Sequence, residues 1–122
     1  MKKNVVATIV VGLAFFLMLP NVVETATTTK PMKGKIVSLD DVFKGKKDLQ
    51  LTKERAKELL EQGSPLVFFY NKKYYFVQTE GGDFAFKKLA DYAHRSAVGI
   101  IGKTKTVGGI NFIIMSDIQP MD

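Results

Sequence analysis

A long apolar segment near the start constrains this 122-residue chain more than any other feature. Lys2 and Lys3 precede an apolar run from Val5 to Leu19, which Pro20 ends. A short basic start followed by such a run is typical of an export signal or a membrane anchor, and not of the core of a small domain. We therefore predict that the rest of the chain lies on the far side of a membrane, in the cell envelope.

Two fates of this leader, residues 1–26, are compatible with its sequence. Cleavage after Ala26 would place Glu24 third before the cut, where small residues are preferred, so the cleavage site is poor. Apolar character resumes after Pro20, and residues 5–23 approach the about 20 residues that a spanning helix needs. An uncleaved leader would anchor the chain in the inner membrane, with the domain on the outer (periplasmic or extracytoplasmic) face. A cleaved leader would give a freely exported protein.

Composition limits the chemistry of the remaining residues. The chain has no cysteine, which excludes disulfides, thiolate metal sites and thiol catalysis. The formal net charge is +6, and the leader's Lys2 and Lys3 supply two of these charges. Such a balance suits an anionic membrane surface or an acidic partner, although it is ordinary for a lysine-rich protein. We predict a threonine-rich linker at 27–31 and one small domain at 32–119.

Apolar alternation in this domain predicts five strands, and apolar residues at helical spacing predict two helices. The predicted strands are residues 32–42, 66–70, 74–79, 97–106 and 110–118. The first helix is predicted to begin at the cap residue Thr52 and to end at Gly63. The second is predicted to begin at the cap residue Asp83 and to end at about Ala93.

This order indicates a mainly β fold with two helices, of the α+β class. Five strands with a helix between the third and fourth are typical of the oligonucleotide/oligosaccharide-binding (OB) barrel. The helix after the first strand is then an extra element, and the N-terminal hydrophobic helix precedes the whole. The alternative is an open antiparallel sheet that carries both helices on one face.

Several motifs resemble those of a group of small exported bacterial proteins of OB-barrel type. The motifs are residues 34–40, 63–66, 89–90, 99–103 and 108–110, together with the aromatic hairpin at 68–76. The likeness covers residues 33–118, and the resemblance implies the same barrel.

Many members of that group carry a histidine and cysteines that could bind a metal or a haem-type centre. The resemblance places these ligands at Asp41, Thr52, Arg55 and Leu59 of this chain. None is a soft ligand, and Leu59 cannot be a ligand at all. The resemblance therefore implies a scaffold used for contact, and we expect neither a metal nor a cofactor.

The aromatic hairpin is the most conspicuous candidate binding site. Aromatic rings beside lysines can stack on a sugar chain or a single-stranded nucleic acid and neutralise its charge, although the predicted export argues against nucleic acid. The candidate ligand-binding residues are Tyr70, Lys72, Lys73, Tyr74, Tyr75, Lys103 and Lys105.

Strand alternation predicts how the hairpin's rings divide between the two faces. Phe68, Tyr70, Tyr74 and Phe76 are predicted to lie opposite Phe69 and Tyr75, with one set filling the barrel. Both sets could instead serve packing. Lys103 and Lys105, which alternate with threonines, could likewise be a solvated strand end.

The sequence contains no recognisable catalytic constellation. Asp40 and Asp41 are adjacent and would point to opposite faces of a strand, and His94 is the only histidine. We therefore predict that the protein is not an enzyme. Two functions remain open. One is an accessory subunit, anchored by residues 5–23, that contacts protein partners in a larger membrane complex. The other is a free exported domain that binds an anionic or sugar ligand.

Overall fold

The computed structural model describes residues 24–122, which form six strands and three helices. The strands β1 to β6 are Glu24–Thr27, Met32–Ser38, Leu66–Tyr70, Lys73–Thr79, Val98–Val107 and Ile110–Pro120. The helices α1 to α3 are Leu39–Phe43, Lys53–Glu61 and Phe86–Tyr92. The domain is thus mainly β, as predicted. The predicted N-terminal helix lies outside the described residues.

The predicted end of the first strand is wrong, because an additional helix, α1, follows the strand directly. Strand β2 stops at Ser38, whose Oγ accepts a hydrogen bond of 3.3 Å from the N–H of Asp41. This is an N-cap, and Asp40 and Asp41 in the first turn suit the positive end of the helix dipole. The cap converts the last predicted strand residues into helix α1.

Both predicted helices are present, but only one of the two predicted caps is. Thr52 Oγ1 accepts a hydrogen bond of 3.1 Å from the N–H of Arg55 and caps α2. The predicted cap at Asp83 is wrong, because Ala85 occupies the N-cap position of α3 and no side chain caps this helix. The carbonyl of Asp83 instead accepts a hydrogen bond of 2.7 Å from the N–H of Thr79.

The six strands form one sheet in the order β1-β5-β2-β3-β4-β6, and β6 also pairs with β5. Strands β2 to β6 are therefore linked in a ring, in which only the β4–β6 pair is parallel. The ring is closed unevenly. β5 pairs with β6 along its whole length, whereas β2 pairs with β5 only through residues 32–34.

Strand β1 is formed by residues predicted as the end of the leader and the start of the linker. Glu24–Thr27 pair antiparallel with residues 103–106 of β5. Thr28 extends the contact, since its N–H donates to the carbonyl of Gly102 at 3.0 Å. Residues 24–27 are therefore part of the sheet in the described chain. Within the part of the chain described, no helix has the length and apolar character needed to cross a membrane.

The hydrophobic core lies between the inner faces of the strands and the helices α2 and α3. Its fully buried side chains include Leu59, Leu66, Phe68, Val77, Leu89, Ile100 and Ile113. Helix α2 leads into β3, and α3 connects the end of β4 to the start of β5, so both helices lie at one end of the strands. We call this the helix end. The opposite turn end holds the β3–β4 turn, the β5–β6 turn and the start of β1.

Candidate functional site

The β3–β4 hairpin turns over two residues, and this turn decides which rings share a face. Asn71-Lys72 form the turn with φ values of 52° and 63°, as in the type I′ turns of two-residue hairpins. The resulting register places Phe68 opposite Tyr75 and Phe69 opposite Tyr74. Directly opposed residues of an antiparallel pair lie on the same face.

The predicted division of the rings between two faces is therefore wrong for β4. The prediction counted Lys73 as part of the turn, but Lys73 is the first residue of β4 and pairs with Tyr70. A shift of one residue moves every side chain of a strand to the other face. Tyr74 and Phe76 accordingly lie on the face of Phe69.

The inward face of the hairpin belongs to the core. Phe68 is fully buried, Tyr75 is 8% exposed, and Tyr70 packs against the core. The ring centroids of Tyr70 and Tyr75 are 6.3 Å apart. Burial raises the pKa of the Tyr75 phenol, and the neighbouring Tyr70 adds to this shift in pKa. Two of the candidate binding residues, Tyr70 and Tyr75, thus lie on the packing side of the hairpin.

The outward face carries rings that are only partly covered. The centroids of Phe69 and Tyr74 are 4.8 Å apart, and Tyr74 is 36% exposed. Lys35 of β2 pairs with Phe69 from the other side. The candidate residues Lys72 and Lys73 are exposed at the adjoining turn. The outward face therefore presents Tyr74 next to the exposed turn residue Lys72, whereas Lys73 pairs with Tyr70 and lies on the inward side of the hairpin, at the turn end of the domain.

A larger group of four phenylalanines continues this face across β4 and β6. Phe76 and Phe112 are paired in the parallel register, with ring centroids 6.1 Å apart. Phe84, in the loop before α3, lies 6.1 Å from Phe76 and stacks nearly parallel on Phe86 at 5.2 Å. Phe84 is 50% exposed. We call these four rings the outer aromatic face.

Aliphatic and cationic residues border the outer aromatic face. Ile110 and Ile114 lie on the same side of β6 as Phe112, because successive residues of a strand alternate in direction. The Nζ of Lys105 is 5.5 Å from the ring centroid of Phe112, within cation–π range. Lys103 pairs with Ile114. The two predicted candidates Lys103 and Lys105 thus border an aromatic surface rather than a separate stripe.

Three shallow depressions accompany these surfaces. One, of about 410 Å³, is lined by Thr27, Thr28, Glu80, Gly102, Lys103, Ile114 and Ser116. Another, of about 320 Å³, is lined by Thr79, Phe84, Ala85, Lys87, Lys88 and Asp91. These two lie beside the outer aromatic face, because they include Ile114 and Phe84. A third, of about 530 Å³ between α2 and α3, is lined by Lys53, Lys57, Leu60, Lys87, Ala90 and Asp91.

Three of the residues that the predicted resemblance aligns with metal ligands have structural roles. Asp41 is buried, and its Oδ1 lies 3.4 Å from the Nζ of Lys46. Leu59 is part of the core, and Thr52 is a helix cap. Among residues 24–122 no cluster of histidine, cysteine and carboxylate side chains could hold a metal ion.

Most of the outer aromatic face was missed by sequence reasoning. The sequence predicts Phe84 at the start of the second helix and Phe112 within the last strand. Only the parallel pairing of β4 with β6 brings Phe76 beside Phe112, and such long-range pairing leaves no local pattern. The one usable signal is the run of apolar residues at both odd and even positions from Phe112 to Met115, which indicates a strand that is apolar on both faces.

Comparison of the chain with protein-family models, with curated proteins and with solved structures found no match in any of the three.

Proposed function

We propose that this chain is a non-catalytic accessory subunit, anchored by its leader, that contacts a larger membrane complex through the outer aromatic face. The observation that carries the proposal is the exposure of this face, in which Phe84 and the adjoining Ile110 are each 50% exposed. Contiguous apolar surface on a small protein is typical of an interaction site, and aromatic residues are enriched in interfaces. Lys103 and Lys105 at its border would suit a partner with acidic residues around an apolar centre.

The scaffold in this proposal is an OB-type barrel. Its support is the ring of five strands β2 to β6, in which the third and fifth are parallel and the rest antiparallel. Helix α3 lies between the third and fourth strands of the ring, where an OB barrel carries its helix. Helices α1 and α2 are then insertions after the first strand.

The anchor in this proposal is the apolar segment at residues 5–23. Strand β1 supports its retention, because cleavage after Ala26 would leave only Thr27 of the four residues that pair with β5. A retained leader keeps β1 whole. The domain would then lie on the outer face of the inner membrane, within reach of the extracytoplasmic parts of membrane proteins.

The test is native electrophoresis of membranes solubilised in a mild detergent, with the chain detected by an antibody. The unaltered chain should migrate with a large complex. Phe84→Ser and Phe112→Ser should release it to the size of the free subunit. Phe43→Ser is the matched control, because Phe43 is 77% exposed but belongs to α1, away from the face. A chain found only as a cleaved, soluble and solitary domain would contradict the proposal.

A second candidate function is the binding of an anionic or sugar ligand by a freely exported domain. It is favoured by the Phe69–Tyr74 ring pair, with Lys35 paired to Phe69 on the same face and Lys72 exposed in the adjoining turn. Nucleic acid remains a weaker candidate ligand because of the predicted export. Tyr74→Ala with Lys72→Ala should then abolish binding to a polyanionic or polysaccharide resin without loss of structure by circular dichroism. Unchanged retention on the resin would exclude this candidate.

A further inference from the structure

The chain enters the described domain at the turn end, and this position determines what surrounds that end. Glu24 pairs with Thr106, which directly precedes Val107 at the end of β5. Neighbouring strands are about 4.8 Å apart, so the chain arrives from the leader directly beside the β5–β6 turn. β1 then runs away from that turn towards the helix end, antiparallel to β5.

The turn end presents exposed apolar and basic groups. Ile110 is 50% exposed, and it follows the Gly108-Gly109 turn, whose residues carry no side chains. Lys72 and Lys73 are exposed at the other turn, and Lys105 lies on the strand that leads to the β5–β6 turn.

The acidic residues of the described chain are concentrated away from the turn end. Glu24 is the only acidic residue among the strand segments and turns at this end, within residues 24–122. Every other acidic residue of the described chain lies in a helix, in a loop that joins a helix, or in the last part of β6 and beyond it. Charge is therefore distributed asymmetrically over the domain. The lysines with the fewest acidic residues at the same end lie where the leader joins.

We propose that the turn end rests on the anionic lipid headgroups of the membrane that holds the leader, with Ile110 entering the interfacial region. This inference rests on the proposed function, because only a retained leader brings the turn end to the bilayer. Lysines within reach of an anionic leaflet are attracted to it, and an adjoining apolar side chain strengthens the contact by leaving water.

This orientation also restricts the kind of partner that could bind the outer aromatic face. Phe112 follows Ile110 by two residues of β6, which is about 7 Å. A turn end on the headgroups therefore places the Phe112 edge of the outer aromatic face just above the membrane surface, with Phe84 and Phe86 further from it. The partner that fits there is the part of a membrane-embedded protein that emerges from the bilayer.

A competing surface at the helix end has similar chemistry. Phe43 is 77% exposed and is followed by Lys44, Lys46 and Lys47, all of them exposed. This loop lies at the far end of β2 from the entry of the chain. It would reach the bilayer only if the domain were turned over, so an experiment can distinguish the two orientations.

The absence of cysteine allows single-cysteine labelling of the full chain in vesicles. The sites are Ile110→Cys at the turn end, Phe43→Cys in the competing loop and Gln119→Cys, which is exposed about 30 Å along β6 from Ile110. The measurement is the rate of reaction with a water-soluble maleimide, in vesicles of phosphatidylcholine with or without phosphatidylglycerol. In anionic vesicles the site at position 110 should react several-fold more slowly than the other two.

Charge reversal tests the role of the lysines. Each lysine near an anionic surface favours binding by about fivefold, so Lys72→Glu with Lys73→Glu should weaken the contact at least about 25-fold and restore the reaction rate at position 110. Lys53→Glu with Lys57→Glu is the matched control, since this exposed pair lies on α2 at the helix end. The control pair should leave the protection unchanged.

The possible failures are distinguishable. Equal rates at all three sites, in a chain that resists extraction from the vesicles, would overturn this inference and leave the proposed function intact. A chain released by alkaline extraction would overturn both. Protection at position 43 would show the reversed orientation. Protection that increases with the ratio of protein to lipid would assign the surface to a second copy of the chain, and either result would overturn the inference.

Discussion

The two faces of the β3–β4 hairpin contain the same residue types but are covered very differently. Phe68 and Tyr75 face inward and are 0% and 8% exposed, whereas their neighbours Phe69 and Tyr74 face outward and Tyr74 is 36% exposed. Residue type therefore does not separate core from surface here. The separation depends on the register, which the Asn71-Lys72 turn sets. Substitutions that act on one face, or on the turn, can test this comparison.

The largest expected effect on stability is that of truncating an inward-facing aromatic side chain. Phe68→Ala should lower the free energy of unfolding by about 3–5 kcal/mol, because it leaves a cavity in the core. Phe69→Ala, the neighbouring change on the half-buried face, should cost about 1 kcal/mol. Urea unfolding of the full chain in mild detergent, followed by circular dichroism, measures both. Equal losses would mean that the two faces are not distinct.

A second effect comes from the close approach of β2 to the inward ring. A Cβ on Gly34 would collide with the carbonyl oxygen of Phe69 and would lie 2.8 Å from Cζ of Phe68. Gly34→Ala should therefore cost about 1–3 kcal/mol of unfolding free energy, since either the backbone or the buried ring must move. Gly81→Ala is the control, because its nearest neighbour is Thr79 Oγ1 at 3.7 Å. A tolerated Gly34→Ala would show that β2 does not approach the hairpin this closely.

A smaller effect of opposite sign is expected at the turn. Lys72 has a φ of 63°, a left-handed conformation that glycine adopts without strain. Lys72→Gly should raise the unfolding free energy by about 0.5–1 kcal/mol, after the greater freedom of glycine in the unfolded chain is subtracted. Lys73→Gly should lower it by a similar amount, because Lys73 lies in β4. The same sign for both variants would place the turn elsewhere, and the division of faces with it.

The elements that sequence reasoning located well are those with a local cause. The Thr52 cap and the strand Leu66–Tyr70 depend on neighbouring residues and are confirmed. The features that the sequence did not predict depend on strands that are distant in the chain, or on a pairing register that differs by one residue. β1 forms only because β5 offers an edge to Glu24–Thr27, and the outer aromatic face exists only because β6 lies parallel to β4.

The candidate site shows the same division. Lys72, Lys73 and Tyr74 were predicted from residue types at a turn, and the structure exposes them. Tyr75 was predicted from the same local composition, yet it faces the core, because the turn is one residue shorter than predicted. A pattern of aromatic residues and lysines thus located the hairpin without determining which rings meet solvent.

The smallest expected effect concerns pH and Tyr75, the inward-facing tyrosine of β4. Burial raises the pKa of the Tyr75 phenol above the ordinary value of 10.0, with a further contribution from Tyr70. As the pH rises through about 10, the unfolded chain loses this proton while the folded chain retains it, so the unfolded state gains stability. The full stability is present below pH 10 and declines up to the pKa of the folded protein.

Tyr75→Phe should therefore flatten the decline of the urea midpoint above pH 10, relative to the unaltered chain. Absorbance of the phenolate gives an independent reading, because the phenol with the raised pKa should be missing in Tyr75→Phe. An unchanged decline in Tyr75→Phe would mean that this phenol ionises equally readily in the folded and the unfolded chain. The inward face of the hairpin would then be packed without being shielded from water.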